Sequence, residues 1–472
     1  MASAVILACF RDLTSASRTR HWLVLLVLSL AASCSGCREA ESPEAPNLLW
    51  ITVDTLRSDR LGCYGHTRDT SPAIDALASR GVRFERAYAT APWTTPSITS
   101  MLTGRMPSSH GLYRTGRSLP PGIDSLPRQL ANAGYRTWGI VSNLLIGKSN
   151  GFDKHFERFD ESFARGERSV STTGVIEIAE RWLGELEEFD DPFLLYVHLF
   201  DPHVEYIRHR DVGYAAERGG VLTGEESFRI LRKHAERVGE AERSFLLDLY
   251  DEEVRFTDNG IALLLERLDE LGLTDSTLIV MTSDHGEEIF ERGWIGHTRT
   301  LFEELVRVPL IFAGPGVPEG RTVAEPVSLV ELPEALRQLL FRNASASPDR
   351  LAARVLDLAP PADPPPVVFE VDFIDLRNPE REAHFSSIVR GQMKLIRNDK
   401  SGELALFNLE KDPRERRNLA ERRAEKVAEL EVQLDQALAK LRIDPLPIHE
   451  RQLDEDELEA LEGLGYVGED SE

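Results

Sequence analysis

The feature that most constrains the fold is a set of three short, almost wholly apolar runs, each leading into polar side chains. The runs cover residues 47–53, 193–199 and 277–281, and Asp54 and Asp284 follow the first and the third. Short apolar runs of this kind are typical of strands buried on both faces of a sheet. If helices separate them, the strands are parallel, and ligands bind at their carboxyl ends, where these polar residues stand.

Helical periodicity does separate the runs. Apolar residues recur at helical spacing over residues 74–80 and 126–133, and the longest such pattern covers residues 241–271. The charged and poorly periodic residues 205–243 are interpreted as an insertion of mixed helix and loop. The sequence therefore predicts an α/β protein with a large, mainly parallel sheet flanked by helices.

The C-terminal part has a different pattern. A proline-rich stretch at residues 359–366 is followed by short strand candidates and then by a helical pattern over residues 421–441. The strand candidates are residues 367–369, 387–389, 393–396 and 404–409. This order predicts a smaller antiparallel sheet with a helix packed on it. The predicted divisions are a catalytic domain at 47–345, a proline-rich connection at 346–366 and a C-terminal subdomain at 367–472.

The N-terminus is interpreted as a targeting segment. Its apolar run, residues 22–32, is too short to cross a bilayer but suits the core of a signal peptide. Small residues stand close to Cys34 and Cys37, as in the lipobox of bacterial lipoproteins. We therefore expect a lipoprotein signal at residues 1–37, a tether at residues 38–46, and export to the bacterial cell envelope with membrane contact through the N-terminal lipid only. The alternative is secretory cleavage with two incidental cysteines.

The charge balance restricts the partners. Lys and Arg number 55 against 79 Asp and Glu, which gives a net charge of −24 and argues against nucleic-acid binding. An anionic substrate would need a local positive centre, such as a bound metal ion. Two carboxylates (Asp54 and Asp284), one imidazole (His285) and one alcohol oxygen (Thr94) suit a divalent Mn, Zn, Mg or Ca ion. Taken singly, these residues could also be a helix N-cap or an ordinary turn. The sequence does not define an oligomeric state.

Short motifs along the chain resemble those of the sulfatase family within the alkaline phosphatase superfamily. They are VDT at 53–55, SPAID at 71–75, GVRF at 81–84, LTGR at 102–105, TSDHG at 282–286, RVPL at 307–310, KLI at 394–396, LFNL at 406–409 and LGYVG at 464–468. The resemblance covers residues 47–468 and implies an alkaline-phosphatase-like sandwich with a smaller C-terminal antiparallel subdomain. It also implies a hydrolase that acts on phosphoric or sulfuric ester bonds.

The departures from the family pattern concern the chemistry. Sulfatases carry a Cys or Ser that becomes formylglycine within C/S-x-P-x-R, whereas this chain has Thr94 and, at the arginine position, Ile98. We therefore expect no formylglycine. The G-K-W-H-x-G signature is absent, and Thr55 replaces the second Asp of the usual metal pair. Threonine nucleophiles occur in the superfamily among nucleotide pyrophosphatases, lipoteichoic-acid synthases and phosphoethanolamine transferases, which perform phosphoryl chemistry.

The resemblance implies a role for each site residue. The expected ligands of a single divalent metal ion are Asp54, Asp284, His285 and the Thr94 oxygen. Thr94 is also the expected nucleophile. His203 and His297 are expected to contact the transferring group or to protonate the leaving oxygen, and Asn143 to bind substrate. A second zinc ion held by Asp201, His203 and His297 is a less favoured alternative.

Three functions remain open at this point. The favoured one is hydrolysis of phosphoric mono- or diesters of an envelope or extracellular glycan or lipid, because a threonine adduct must be displaced by water rather than eliminated. The alternatives are arylsulfatase-like hydrolysis of sulfuric esters and a non-catalytic binding lipoprotein of the same fold.

Overall fold

The computed structural model describes residues 45–120, 122–164, 171–203, 205–233, 235–341, 349–358, 364–375, 377–378, 382–442, 445–464 and 466–467. The predicted signal, most of the predicted tether and both of its candidate lipidation sites, Cys34 and Cys37, lie outside these residues. Within the described ranges, no helix is long and apolar enough to cross a membrane.

An eight-stranded sheet forms the centre of the unit Pro46–Glu472. In spatial order its strands are Arg321–Val323, Gly81–Phe84, Leu310–Ala313, Thr277–Ser283, Asn47–Val53, Phe193–Leu199, Arg136–Ile140 and Arg158–Asp160. Five of the seven strand pairs are parallel, and Leu310–Ala313 runs antiparallel to both neighbours. The predicted mainly parallel sheet is confirmed.

Helices cover both faces of this sheet. Alternate residues of each central strand point to opposite faces, so Leu49 and Ile51 join one core, and Leu48 and Trp50 the other. The first face packs against the helices Pro72–Ser79, Thr172–Leu186 and Glu240–Glu270. The second face packs against Thr94–Thr103, Leu126–Asn132, Leu332–Phe341 and Arg350–Val355. Because both faces are covered, the residues at the strand ends are the ones left to form a site.

The C-terminal part forms a four-stranded antiparallel sheet, as predicted. Its strands are Val367–Ile374, Glu382–Arg390, Met393–Asn398 and Leu404–Asn408. The helix Ala424–Leu441 packs on one face through Val427, Leu430, Leu434 and Leu438. The other face joins a core with Tyr88 and Trp93 of the larger part, and a last helix, Glu455–Gly463, contributes to the same core.

The structure adds detail to the remaining predictions. The insertion contains the short helix Phe228–Lys233 and a 3-10 turn at Ala235–Arg237, so its mixed character is confirmed. The first two strands of the small sheet are longer than predicted, because their alternating polar residues conceal them in a search for apolar runs. The helix Arg350–Val355 lies within the predicted proline-rich connection. The remaining short strands pair outside the two large sheets. Ala87–Tyr88 pairs with both Arg307–Val308 and Val327–Ser328, Glu288–Ile289 pairs with Ile295–Gly296, and Arg117–Ser118 pairs with His449–Glu450.

Candidate active site

Two carboxylates meet at the carboxyl edge of the central sheet. The strands Asn47–Val53 and Thr277–Ser283 are parallel neighbours whose last residues face each other. Asp54 and Asp284 are therefore adjacent, and His285 follows directly. One ligand atom from each of these three buried residues lies within 4.8 Å of the other two. We call this group the carboxylate cluster.

The hydrogen bonds of the carboxylate cluster leave one oxygen of each aspartate without a partner. Oδ1 of Asp284 accepts from the backbone N–H groups of Thr55 at 3.3 Å and His285 at 2.8 Å. Among the residues that the structure describes, no hydrogen-bond partner reaches its Oδ2 or Oδ1 of Asp54, although both atoms are buried. Buried carboxylate oxygens normally have a partner, and a cation is the partner that suits two of them together.

The pKa shifts indicate the same missing charge. Burial raises the pKa of Asp54 well above its usual range, and the neighbouring Asp284 carboxylate raises it further. Burial also raises the pKa of Asp284 to about 7, although its backbone hydrogen bonds oppose the shift. No described lysine or arginine forms an ion pair with either carboxylate. The donor set and its unpaired charge therefore fit a divalent metal ion.

His285 is oriented toward the two carboxylates. Its Nδ1 lies 2.9 Å from the carbonyl oxygen of Gly286, and because a carbonyl only accepts, Nδ1 carries the proton. Nε2 is then a lone-pair donor, 3.6 Å from Oδ1 of Asp54 and 3.4 Å from Oδ2 of Asp284. Burial lowers the pKa of His285, which favours this neutral form. A neutral imidazole with a fixed second nitrogen is the usual form of a metal-binding histidine.

Thr94 lies beside the carboxylate cluster as the first residue of the helix Thr94–Thr103. Its Oγ1 is 3.3 Å from Nε2 of His285. Asn143 links the two parts of the site, since its Nδ2 donates to Oδ2 of Asp54 at 2.7 Å and lies 3.3 Å from Oγ1 of Thr94. Its Oδ1 accepts from the backbone of Leu145, which fixes the amide in this orientation. The structure thus brings together the four expected metal ligands and Asn143.

His297 and His203 lie next to this group, and a tyrosine that was not predicted as a site residue joins them. The Tyr466 hydroxyl is 3.0 Å from Oγ1 of Thr94 and 2.8 Å from Nε2 of His297. Nδ1 of His297 is in turn 2.9 Å from Oε1 of Glu287. The ring of His203 lies 5.1 Å from that of His297, centroid to centroid. The side chains of this group are all buried, namely Thr94, His203, Glu287, His297 and Tyr466.

Two other polar residues, His198 and Asp201, lie at the carboxyl end of the strand Phe193–Leu199 and have different surroundings. His198 is fully buried, with Nε2 3.7 Å from Oδ2 of Asp54, and burial lowers its pKa to about 3. It therefore borders the carboxylate cluster as a neutral imidazole. The Asp201 carboxylate instead accepts hydrogen bonds from Ser171 and Thr172 at the start of a helix. This use of Asp201 does not favour the second zinc site.

The positions that depart from the family pattern also have clear surroundings. Ile98 is fully buried in the core on the second face of the sheet, so that position supplies no charge to Thr94. Thr55 has a φ of 52°, and its backbone N–H donates to Asp284. The sequence search did not single out Glu287 or give a role to Tyr466. The LGYVG motif was the only signal for Tyr466, and a motif match alone does not say where its side chain lies.

Comparison with known proteins identifies relatives of the chain. A family model with the description Sulfatase matches residues 46–340. An ulvan-active sulfatase of Formosa agariphila is 26% identical over 350 residues, which are 68% of this chain and 66% of that protein. An N-acetylgalactosamine-6-sulfatase of Canis lupus familiaris is 27% identical over 352 residues, which are 66% of this chain and 64% of that protein. The chain therefore spans about two thirds of the length of each of these two relatives.

Solved structures share the fold. One is a protein in complex with its substrate D-glucosamine-2-N,6-O-disulfate, with a TM-score of 0.71 and 19% identity over 85% of this chain and 99% of that chain. Another is a phosphonate monoester hydrolase of Agrobacterium radiobacter, with a TM-score of 0.70 and 20% identity over 86% of this chain and 100% of that chain. At these identities the likeness concerns the fold alone.

Proposed function

The chain belongs to the sulfatase family, and on this basis we propose that it is a metal-dependent ester hydrolase in which Thr94 is the nucleophile. One observation carries the proposal: Oγ1 of Thr94 lies 3.3 Å from His285, within a buried group whose two aspartates each present an unpaired oxygen. Asp54, Asp284, His285 and Thr94 would hold one Mn, Zn, Ca or Mg ion. When bound, the ion would supply positive charge to the transferring group and favour ionisation of the attacking hydroxyl.

We propose phosphoric mono- or diesters as the substrates. A formylglycine hydrate has a second hydroxyl through which sulfate can be eliminated, whereas a threonine ester must be displaced by water. A phosphoryl group on threonine can be displaced in this way when the attacking water and the departing oxygen are both assisted. The buried Ile98 adds to this argument, because the site lacks the arginine that accompanies formylglycine in the family motif.

The protein's own side chains would orient the ester. The Asn143 amide donates toward Asp54 and Thr94 and so fixes the nucleophile relative to the carboxylates. The ring of His297 lies 4.6 Å from that of His285, and His203 lies next to His297. These two histidines are the groups proposed to contact the transferring group or protonate the leaving oxygen. Burial lowers the pKa of His297 well below its usual range, so it begins the reaction as a neutral imidazole.

Sulfuric ester hydrolysis is the second candidate function, because the curated relatives are described as sulfatases. The location is also a proposal: an exported protein tethered to the bacterial envelope at Cys34 or Cys37, acting on a glycan or lipid ester there.

The test compares three substrates with the full chain supplied with Mn²⁺, Zn²⁺, Ca²⁺ or Mg²⁺ in turn. The substrates are a p-nitrophenyl phosphate monoester, the corresponding diester and p-nitrophenyl sulfate, and the variant is Thr94→Ala. We expect phosphoester turnover that Thr94→Ala abolishes. Turnover of sulfate alone, lost in the same variant, would favour the second candidate. Undiminished activity of Thr94→Ala would refute the nucleophile, and failure to turn over any of the three would favour the non-catalytic alternative.

A further inference from the structure

A chain of hydrogen bonds connects the proposed nucleophile with a buried carboxylate that the metal site does not use. It runs from Thr94 through Tyr466 and His297 to Glu287, with successive distances of 3.0, 2.8 and 2.9 Å. Tyr466 and Glu287 are outside the set of residues to which the sequence motifs give a role. Tyr466 is far from these residues in sequence, yet its ring centroid lies 6.0 Å from that of Trp93 and 5.1 Å from that of His297.

The direction of each hydrogen bond follows from what each group can donate. The Glu287 carboxylate only accepts, so Nδ1 of His297 carries the proton and Nε2 has a free lone pair. Nε2 therefore accepts the hydrogen of the Tyr466 hydroxyl at 2.8 Å. The Tyr466 oxygen, having donated its only hydrogen, is left as an acceptor toward Thr94.

The groups around Oγ1 of Thr94 limit where its hydroxyl can donate its hydrogen. The Asn143 amide can only donate to Oγ1, because its oxygen already accepts from Leu145. Nε2 of His285, at 3.3 Å, and the carboxylate of Asp284 also face Oγ1, but a bound cation would engage both of them. The Tyr466 oxygen, at 3.0 Å, would then be the acceptor that remains for the Thr94 hydrogen.

We propose that Tyr466 is a catalytic residue that carries the proton of Thr94 to His297, and that Glu287 orients this histidine and stabilises its charged form. The inference rests on the proposed function, because it assigns the proton path of the same nucleophile. A buried carboxylate that fixes and stabilises an imidazole is the arrangement by which histidine bases act in other hydrolases. Here a phenol is inserted between base and nucleophile.

The proton path balances in both halves of the reaction. As Oγ1 of Thr94 bonds to phosphorus, the bond from phosphorus to the alcohol oxygen breaks with its electron pair. The Thr94 proton moves to Tyr466, whose own proton moves to Nε2 of His297. When water then attacks the phosphorus of the adduct, the bond to Oγ1 breaks and the two protons return, so that Thr94 leaves as a hydroxyl. The attacking water releases one proton and the departed alkoxide takes up one. The net reaction therefore converts ester and water into alcohol and phosphate and leaves the protein unchanged.

This path supplies what a threonine nucleophile lacks compared with formylglycine. Its adduct has no second hydroxyl from which elimination can start, so its own oxygen must be the leaving group. Protonation of a poor leaving oxygen by a positioned acid typically contributes about 10²–10⁴-fold in rate. Tyr466 is the described hydroxyl in contact with that oxygen.

The test uses the full chain and the substitution Tyr466→Phe, which removes the hydroxyl and keeps the ring. We expect kcat for the p-nitrophenyl phosphoester to fall at least about 100-fold and the solvent deuterium isotope effect on kcat to disappear. The matched control is Tyr135→Phe, which removes a buried hydroxyl that donates to the Pro46 carbonyl outside the site. This control should keep both activity and isotope effect. A Tyr466→Phe variant within about threefold of wild type would overturn the proposal.

Two further results separate the relay from the proposed function. If Thr94→Ala is inactive while Tyr466→Phe keeps its rate, the nucleophile stands and the relay fails. The tautomer of His297 can be measured independently of turnover. The full chain is labelled with ¹⁵N-histidine, loaded with Mg²⁺ and studied by NMR, and the variant His297→Gln assigns the resonance. The relay requires hydrogen on Nδ1 and an Nε2 resonance that shifts in Tyr466→Phe. Hydrogen on Nε2 in the wild-type protein would overturn the relay whether or not an ester is cleaved.

Discussion

Removal of the metal ion should make the stability of the protein depend on pH through Asp284, and Asp284→Asn removes this carboxylate together with its repulsion of Asp54. In the metal-free protein burial raises the pKa of Asp284 to about 7, whereas an unfolded aspartate titrates near 3.9. A group with a raised folded-state pKa contributes stability that is present below its unfolded pKa and is lost as pH rises through its folded pKa. The metal-free protein should therefore lose stability between about pH 4 and pH 7.

The magnitude follows from the same two pKa values. At about 1.4 kcal/mol per unit, the raised pKa costs the folded state about 4 kcal/mol at pH 8, where the buried carboxylate is ionised, and about 1.5 kcal/mol at pH 5, where it still holds its proton. In Asp284→Asn the amide oxygen can keep the two backbone hydrogen bonds of Oδ1, and the amide nitrogen takes the place of the unpaired Oδ2. The metal-free variant should therefore be more stable than the metal-free wild type, by a difference that grows at least about 2.5 kcal/mol from pH 5 to pH 8.

Guanidinium unfolding of EDTA-dialysed full chain, followed by tryptophan fluorescence, measures this difference. Comparing wild type with Asp284→Asn at each pH removes the contribution of the overall net charge of −24, which the two proteins nearly share. With saturating Mn²⁺ the order should reverse, because the wild-type carboxylate gains its cation and the amide is a poorer ligand. A difference that stays constant from pH 5 to pH 8 would refute the assignment of Asp284 as an uncompensated buried carboxylate.

Three other substitutions test separate parts of the structure. The buried Lys394 ammonium lies 2.9 Å from both Glu303 and Glu415, and Lys394→Met leaves these carboxylates without their cation. The free energy of unfolding, measured with denaturant, should fall by about 3–5 kcal/mol, and a fall under about 1 kcal/mol would contradict this. Ile98→Arg restores the family's residue type but buries an unpaired charge in the core, so the unfolding midpoint should fall and hydrolysis should not improve; an unchanged midpoint with faster hydrolysis would contradict this. Asn143→Leu removes the amide that bridges nucleophile and carboxylate, so kcat/KM should fall about 100-fold while the unfolding midpoint changes little; a rate equal to wild type would exclude its role.

The sequence was sufficient to predict the position of the carboxylate cluster. Parallel neighbouring strands end at the same edge of a sheet, so apolar runs that lead into Asp54 and Asp284 place both residues there before any coordinate is known. Periodicity also predicted the long helix, which the structure bounds at Glu240–Glu270. Both predictions depend on local patterns of apolar residues that repeat along the segment. Such a pattern can be recognised without knowing how the segment packs against the rest of the chain.

The hydrogen-bond partners of the nucleophile could not be predicted in this way. Tyr466 is separated from Thr94 by 372 positions and is placed by the core between the small sheet and the catalytic part. Glu287 follows the carboxylate cluster directly in sequence, but an isolated glutamate has no pattern that distinguishes a buried partner of His297 from a surface residue. Contacts set by tertiary packing alone require the structure.

The most direct test of the account is to look for a covalent intermediate on Thr94. Full chain loaded with Mn²⁺ is mixed with a p-nitrophenyl phosphodiester that carries radiolabelled phosphorus, quenched in acid during turnover, digested and mapped by mass spectrometry. The account predicts label on the peptide that contains Thr94 and none in Thr94→Ala. Turnover of the ester without label on Thr94, or label on another residue, would contradict it.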